Sequence, residues 1–385
     1  MSMNSAYVID PKSPLLFRAG RPSDPAGDPE TLAFPLPTTL AGAFRTLYGD
    51  ASSKPPQNAD EWLALRKHLA VHGPLAARID ETGAVDAFFP RPADAVYLKD
   101  MQGRPAVYRL APEPLPDYAR HCDLPDGLMP VCVEKAPKAK PVIGDPWWSL
   151  KNMLRWLHGG KPTDPPNSLG WRGPARDYRM HVALDPRSLS AVDSKLFQTQ
   201  GLDFGPVADD TQRGWTGERY ALLAHLPENE VQEGFRRIGG EGRLAHILRN
   251  DAAWPGIDAD LSEKLRGSRF IRLVLVTPAL FANGWLPAWL NDDLRGTPPG
   301  FEGRIELRLS ALANPRWEPV SGWNIAACRP QSVRRMAPSG TVYWFEVIQG
   351  GEQIDALWLH PISDGEQNRK DGFGLAIPGV WENIE

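Results

Sequence analysis

The residues best suited to chemistry cluster where a polar helix start meets arginines. Pro35 and Pro37 end an extended segment, and Leu40, Ala43, Phe44 and Leu47 then recur at helical spacing. Thr38 or Thr39 can serve as the N-cap, and Gly49 fits the stop. A helix N-terminus offers unpaired N–H groups and a partial positive charge, which suit a phosphate. Gly42 would let a ligand approach the helix face. Arg45, two turns beyond Thr38 and roughly 10 Å along the axis, could meet the next phosphate. Arg18 and Arg21 flank Gly20 just upstream. Together these residues suit a bent single strand of RNA. The alternative is structural: Thr38 only caps, Gly42 packs on a sheet and Arg45 pairs with an acid.

Other groups point the same way. Gly239-Gly240-Glu241-Gly242-Arg243 has too few side chains to pack a core. It lacks the Lys-Ser/Thr of a phosphate-binding P-loop and the preceding strand of a dinucleotide site. Its backbone N–H groups could line phosphates through Gly239, Gly240 and Arg243, or it is a tight turn after a helix holding Phe235. Arg329, Arg334 and Arg335 precede a strand that starts at Gly340, and could clamp a backbone; a solvated loop is the alternative. Arg172, Arg176 and Arg179 alternate with Trp171 and Tyr178, a mixture that suits stacking on unpaired bases or a protein interface.

Catalytic patterns are weak. His68 and His72 are four apart on an expected helix, but the intervening glutamate of a zinc protease is missing, so a solvated helix face is expected. No nucleophile motif or metal-spaced carboxylate pair is recognisable. Metal-free RNA cleavage needs only a positioned His, Lys or Tyr, which sequence does not exclude. No cofactor is expected.

The elements that must position these residues read as α+β. Residues 6–10 alternate as a short strand, and 20–37 form a loop rich in Pro and Gly. A second helix is expected over 60–71 and a third over 147–158. Residues 177–187, 270–277, 304–309 and 340–348 read as strands, with a return strand near Tyr220. Nine prolines between 105 and 146 suggest a long insertion or irregular arm outside the core, and 372–379 reads as a Gly-rich irregular tail. Thr277-Pro278 and Gly284-Trp285 read as structural, with Trp285 packed under the following loop.

Composition allows two ordinary domains and a normal core: 385 residues, 42% hydrophobic. The net charge of −4 does not announce a nucleic-acid binder, but 31 of the 43 cations are Arg, the residue that forks onto phosphates and stacks on bases. A GC-rich genome would enrich Arg as well. Three cysteines without metal spacing suggest a reducing compartment. No apolar run approaches a membrane span and no signal peptide is recognisable, so a cytoplasmic protein without a membrane partner is expected.

Five phrases in order carry a family resemblance: Pro14-Leu15-Leu16-Phe17-Arg18-Ala19-Gly20-Arg21-Pro22, the run from Phe34 to Thr46, Gly239 to Arg243, Thr277 to Pro287, and Gly322-Trp323 followed by Val333 to Tyr343. Their order and spacing resemble the third-subunit family of the CRISPR type III-B (Cmr) effector complex, in the RAMP superfamily. The resemblance runs from about residue 6 to about 375, with no match between 90 and 165. It implies two ferredoxin-like (RRM-like) domains with Gly-rich loops, assigned to 1–220, including an insertion at about 90–165, and to 221–385. It implies a non-catalytic subunit that binds the 5′ tag of the guide crRNA. Its expected partners are the crRNA, the large cyclase-containing subunit and the neighbouring backbone RAMP subunits. Two alternatives stay open: a metal-independent endoribonuclease that processes crRNA, since some relatives cleave RNA on the same fold, and a purely architectural subunit.

Overall fold

The computed structural model describes residues 5–17, 32–114, 124–133, 137–209, 214–324, 329–330 and 332–381. The architecture is α+β: two mainly antiparallel sheets, with few helices.

In the first sheet the strands run, from one edge to the other, Gly234–Arg237, Leu244–Arg249, Ser5–Pro11, Gly214–Leu226, His72–Ile79, Val85–Pro90, Trp147–Ser149 and Gly170–Trp171. Ser5–Pro11 is central because its residues are apolar on both faces, and six of the seven are buried. On one face Tyr7 and Ile9 meet helix α1 (Pro37–Ala51), where Tyr7 packs edge-on against Phe44 at 5.5 Å. On the other, Val8, Leu75, Ala77 and Leu223 join the core shared with the second sheet. A division after residue 220 would cut the strand Gly214–Leu226. Pairing places that strand, and Leu244–Arg249 beyond it, in the first sheet.

The second sheet runs Arg295–Gly296, Glu306–Ala313, Val342–Gln349, Phe270–Leu275, Leu375–Val380 and His360–Pro361. The residues expected to form an irregular tail therefore include a strand, and all six positions of Leu375–Val380 are buried. Glycine serves close packing there: a Cβ on Gly379 would lie 2.7 Å from a Leu157 methyl.

Helix α2 (Ala59–His68) begins at Asn58, whose side chain accepts from the Glu61 N–H while the Glu61 carboxylate accepts from the Asn58 amide and the Gln57 N–H. It ends at His68, so His72 opens a strand and the two histidines share no helix face. Helix α3 (Leu150–Leu157) is capped by Ser149, and α4 (Ala259–Arg266) by Asp258.

The proline-rich stretch is more regular than expected. Ala95–Lys99, Pro105–Pro112 and Val131–Val133 form a three-stranded sheet, and Ala95, Tyr97, Val107 and Leu128 belong to the main core. Trp148 donates to the Tyr97 hydroxyl at 2.6 Å, and that hydroxyl donates to the Asp145 carbonyl at 2.7 Å. Prolines fall at strand ends (Pro105, Pro112) and in turns, where no ladder N–H is lost.

Buried polar contacts tie the two sheets together. Arg272, on the second sheet, reaches Asp94 at 2.7 Å and also donates to the Trp156 carbonyl. Trp156 in turn donates to Asp94 at 2.9 Å. The strands Ala175–Leu184 and Ala191–Asp203 pair with each other as a separate two-stranded hairpin, whose side chains are mostly exposed.

Candidate nucleic-acid interface

The start of α1 meets the second half of the chain. Its N-cap is Leu36, with Pro37 in the first helical turn and no side-chain cap. Thr38 and Thr39 are thus inside the first turn and not caps. The fixed φ of Pro37 suits the first helical position and replaces the capping role expected of the threonines. Leu36 packs with Leu280, Val320, Met336 and Phe373, and this contact sets α1 beside the antiparallel pair Glu318–Val320 and Arg334–Met336. Thr38 and Thr39 are half-buried; Gly42 is exposed, and a Cβ there would meet nothing within 4 Å.

Arg45 does not share that exposed face. It is 6% exposed, and its guanidinium donates to Asp371 at 2.5 Å, to the Leu69 carbonyl at 2.8 Å and to the Lys370 carbonyl at 3.0 Å. Three residues on from Gly42, it is rotated by only about 60° round the helix, and its side chain reaches from the edge of that face into the junction. Its guanidinium is buried and makes four hydrogen bonds, so Arg45 holds the fold and is not placed to meet a phosphate.

Arg334 and Arg335 are exposed and carry weaker partners. Arg334 donates to the Asn368 side chain at 3.0 Å, and Arg335 lies over the Trp317 ring at 4.8 Å. Partial burial and the neighbouring Arg66 cation lower the Arg334 pKa, while Asp371 partly offsets them. A guanidinium stays charged through such a shift. Arg66 donates to the other oxygen of Asp371 at 2.7 Å. One buried carboxylate therefore faces Arg45, Arg66 and Arg334, and positive charge is left over at the surface. A cleft of about 630 Å³ adjoins, lined by Phe281, Gly284, Arg334, Arg335, Asp364 and Asn368 among others. This arrangement can hold an anionic chain between two exposed guanidiniums, with α1's first turn close by.

The remaining positions separate. Gly340 is buried, with φ +86°, and a Cβ would lie 2.5 Å from the Arg91 carbonyl. Its N–H donates to Leu275 and its carbonyl accepts from Ala93, so it is a close-approach point between chain segments and not a ligand contact. The Gly-rich run joins the strands Gly234–Arg237 and Leu244–Arg249 as a hairpin connection, so Phe235 lies on a strand and not on a helix. Gly239, φ +75°, sits against the Leu16 carbonyl, where a Cβ would approach to 2.7 Å, and Gly240 donates its N–H to that carbonyl at 2.9 Å. Arg243 pairs with Glu241 at 3.0 Å. Gly239 and Gly240 anchor the turn to Leu16. None of these residues lines the Arg334 cleft. Arg18 and Arg21 lie outside the described residues, and so does the side chain of Arg329.

Thr277 plays the structural part expected. Its hydroxyl donates to the Gly372 carbonyl at 2.8 Å and accepts from the Leu375 N–H at 2.9 Å. Trp285 packs on the main core, and its carbonyl accepts from Tyr343. On the hairpin, Arg176 reaches the Leu32 carbonyl and Arg179 pairs with Asp177. Trp171 is buried and stacks on Tyr220 at 4.3 Å, so it offers no face to a base.

Sequence reasoning missed Arg66, Asn368, Asp371 and Trp317. Only the charge of Arg66 next to a helix end hinted at it. Asp371 sits in a segment whose glycines disguised it.

The histidines that come together are His72 and His225, cross-strand partners with ring centroids 5.7 Å apart. Burial, and then the neighbouring His225 and His360, press His72 down to about 3. Burial presses His225 down to about 4, partly offset by Asp251.

A family model described as CRISPR-associated protein (Cas_Cmr3) matches residues 7–381, nearly the whole chain. The chain belongs to that family. Among curated proteins none matches. Two solved chains are similar in shape. One, from a cryo-EM structure of the type III-B Cmr-beta bound to cognate target RNA, is 14% identical with a TM-score of 0.49; the match covers 96% of this chain and 95% of that one. The other, from Cmr-beta bound to cognate target RNA and AMPPnP, is 12% identical with a TM-score of 0.47, covering 91% and 88%. At these identities and scores neither bears on ligands or partners. Among the described residues no helix is long and apolar enough to cross a membrane.

Proposed function

We propose that this chain is a non-catalytic, RNA-binding subunit of a type III-B CRISPR effector. In this reading it anchors the 5′ tag of the guide crRNA and bridges the large cyclase-containing subunit to the backbone RAMP subunits. Family membership supports the effector assignment. The observation that carries RNA binding is the exposed pair Arg334 and Arg335 beside the first turn of α1, where two cations outlast the carboxylate that could neutralise them.

Strand order supports the fold half of the proposal. In each sheet four consecutive strands, numbered along the chain, lie fourth, first, third, second and pair antiparallel. That is the order of a ferredoxin-like βαββαβ unit. In the first sheet α1 links the first two strands; in the second that link, residues 276–305, contains no α-helix.

A binding role also suits His72, His225 and His360. A general base for RNA cleavage needs a pKa near neutrality and access to a 2′-hydroxyl. His72 and His225 are packed at the core with pKa values far below that. His360 hydrogen-bonds the Pro299 carbonyl at 2.7 Å and is likewise shifted down by burial.

The test is retention and integrity of end-labelled guide RNA, carrying its native or a scrambled 5′ tag, on the protein co-expressed with its large-subunit partner. Tag-dependent retention of intact RNA is expected. Cut RNA without added metal would replace the binding reading with a nuclease. Equal retention of both RNAs would reduce the chain to an architectural role.

A further inference from the structure

The outer edge of the first sheet carries an aromatic pair that no core requires. Phe235 is 60% exposed on the edge strand Gly234–Arg237. Its cross-strand partner is His246, and the two rings stack with centroids 4.5 Å apart and planes within 14°. His246 thus backs one face of the Phe235 ring and holds it in one orientation. The surroundings of Phe235 are otherwise open enough to leave well over half of the residue in water.

Arg237 lies two residues on, so its side chain leaves the same face of the strand. It is exposed, and its stem lies against Gly242, whose Cβ would come within 3.7 Å of the Arg237 Nε. Among the described residues it has no ion-pair or hydrogen-bond partner, whereas its neighbours are engaged: Arg236 with the Glu233 carbonyl, Arg243 with Glu241 and Arg249 with Glu230 and Asp251. A fixed, half-open ring beside an unneutralised guanidinium matches one repeating unit of single-stranded RNA, a planar base next to a phosphate. An apolar protein partner would use the ring but would leave the Arg237 charge unanswered.

We propose that Phe235, backed by His246, is a stacking platform for one unpaired nucleobase of a single-stranded RNA, with Arg237 on the adjoining phosphate. The site rests on the RNA-binding reading and adds to it a second contact, outside the residues that line the Arg334 cleft. Because every base presents a π-face, the platform is tolerant of sequence and fixes the path of the strand.

The experiment uses the full chain and single-stranded tag-bearing RNA with 2-aminopurine placed at successive positions. Phe235→Ala is expected to weaken binding about tenfold, the loss typical of one stacked base. It should also abolish the quenching of 2-aminopurine at one position. Phe235→Trp should keep affinity within about twofold of the parent, since the larger ring stacks at least as well. Unchanged affinity and quenching in Phe235→Ala overturns the proposal. So does intact RNA binding combined with loss of a neighbouring subunit on co-purification, which would make the ring a protein contact. Arg334→Ala with Arg335→Ala, measured alongside, separates the two claims. If it weakens binding while Phe235→Ala does not, only the platform fails. If the parent chain itself shows no salt-sensitive RNA binding, the wider reading fails.

Discussion

Arginine does two different jobs in two regions of this molecule. At the junction of the sheets, Arg272 and Arg45 are buried and held by carboxylates and carbonyls. On the pair Glu318–Val320 and Arg334–Met336, Arg334 and Arg335 are exposed and, among the described residues, meet an amide and an indole ring. The side chain is the same; what differs is how many acceptors the fold supplies. A buried guanidinium without acceptors would be too costly to keep, so burial and a carboxylate partner come together. An exposed guanidinium keeps its hydration and can exchange it for a ligand phosphate.

Variants that unpair the junction should show the largest effect. Asp94→Ala strands the Arg272 charge at 1% exposure and is expected to cost about 3–5 kcal/mol in chemical denaturation. Retained stability would break the comparison at its strongest point. Arg45→Ala leaves Asp371 with Arg66 still in place, so a smaller loss of about 2–3 kcal/mol is expected, with RNA affinity following stability only. A selective loss of RNA binding in a fully folded Arg45→Ala protein would return that residue to the interface.

The next effect is a response to acid. His225 is neutral in the folded protein, with a pKa depressed to about 4 from an ordinary value near ~6.5. The unfolded chain therefore binds more protons between these values. The stabilisation is present above about pH 6.5 and declines as pH falls towards 4, reaching a loss of about 2 kcal/mol at pH 5. His72, pressed lower still, acts in the same direction. Denaturation midpoints at pH 7 and pH 5, compared in the parent and in His225→Gln, would reveal this slope, which the variant should flatten. Gly340→Ala combines a left-handed backbone with a 2.5 Å approach to the Arg91 carbonyl, and about 1–3 kcal/mol of destabilisation is expected in the same assay.

Smallest in stability, and largest in binding, is Arg334→Ala with Arg335→Ala. A change below about 0.5 kcal/mol is expected in folding, as for exposed positions generally. The log–log salt dependence of RNA binding should become shallower by about 1.4, two phosphates at ~0.7 each. An unaltered slope would remove these residues from the interface and sharpen the comparison against the binding role.

Local patterns were readable from the sequence where the determinant was local. Leu40, Phe44 and the prolines before them announced α1, and the apolar run 270–275 announced a buried strand. The strand Leu375–Val380 was disguised by Pro378 and Gly379; the glycine serves a close approach of Leu157. The three-stranded sheet of the proline-rich stretch was hidden for a related reason. Its prolines stand at strand ends, where periodicity is weakest. For the candidate site, Arg334 and Arg335 were visible as a cluster, and Phe235 was noticed only as a residue before a turn. Arg45 was visible too, but its partner lies 326 residues away.

By itself, then, the sequence determined the α+β class, helices α1 to α3, a handful of the strands, and the family phrases from Pro14 to Tyr343. Those depend on periodicity, turn residues and order along the chain. The tertiary structure alone decided which arginines are spent on the fold and which remain for a ligand. That depends on whether a distant carboxylate such as Asp371 or Asp94 arrives beside the guanidinium, and neither spacing nor composition encodes that arrival in any local signal.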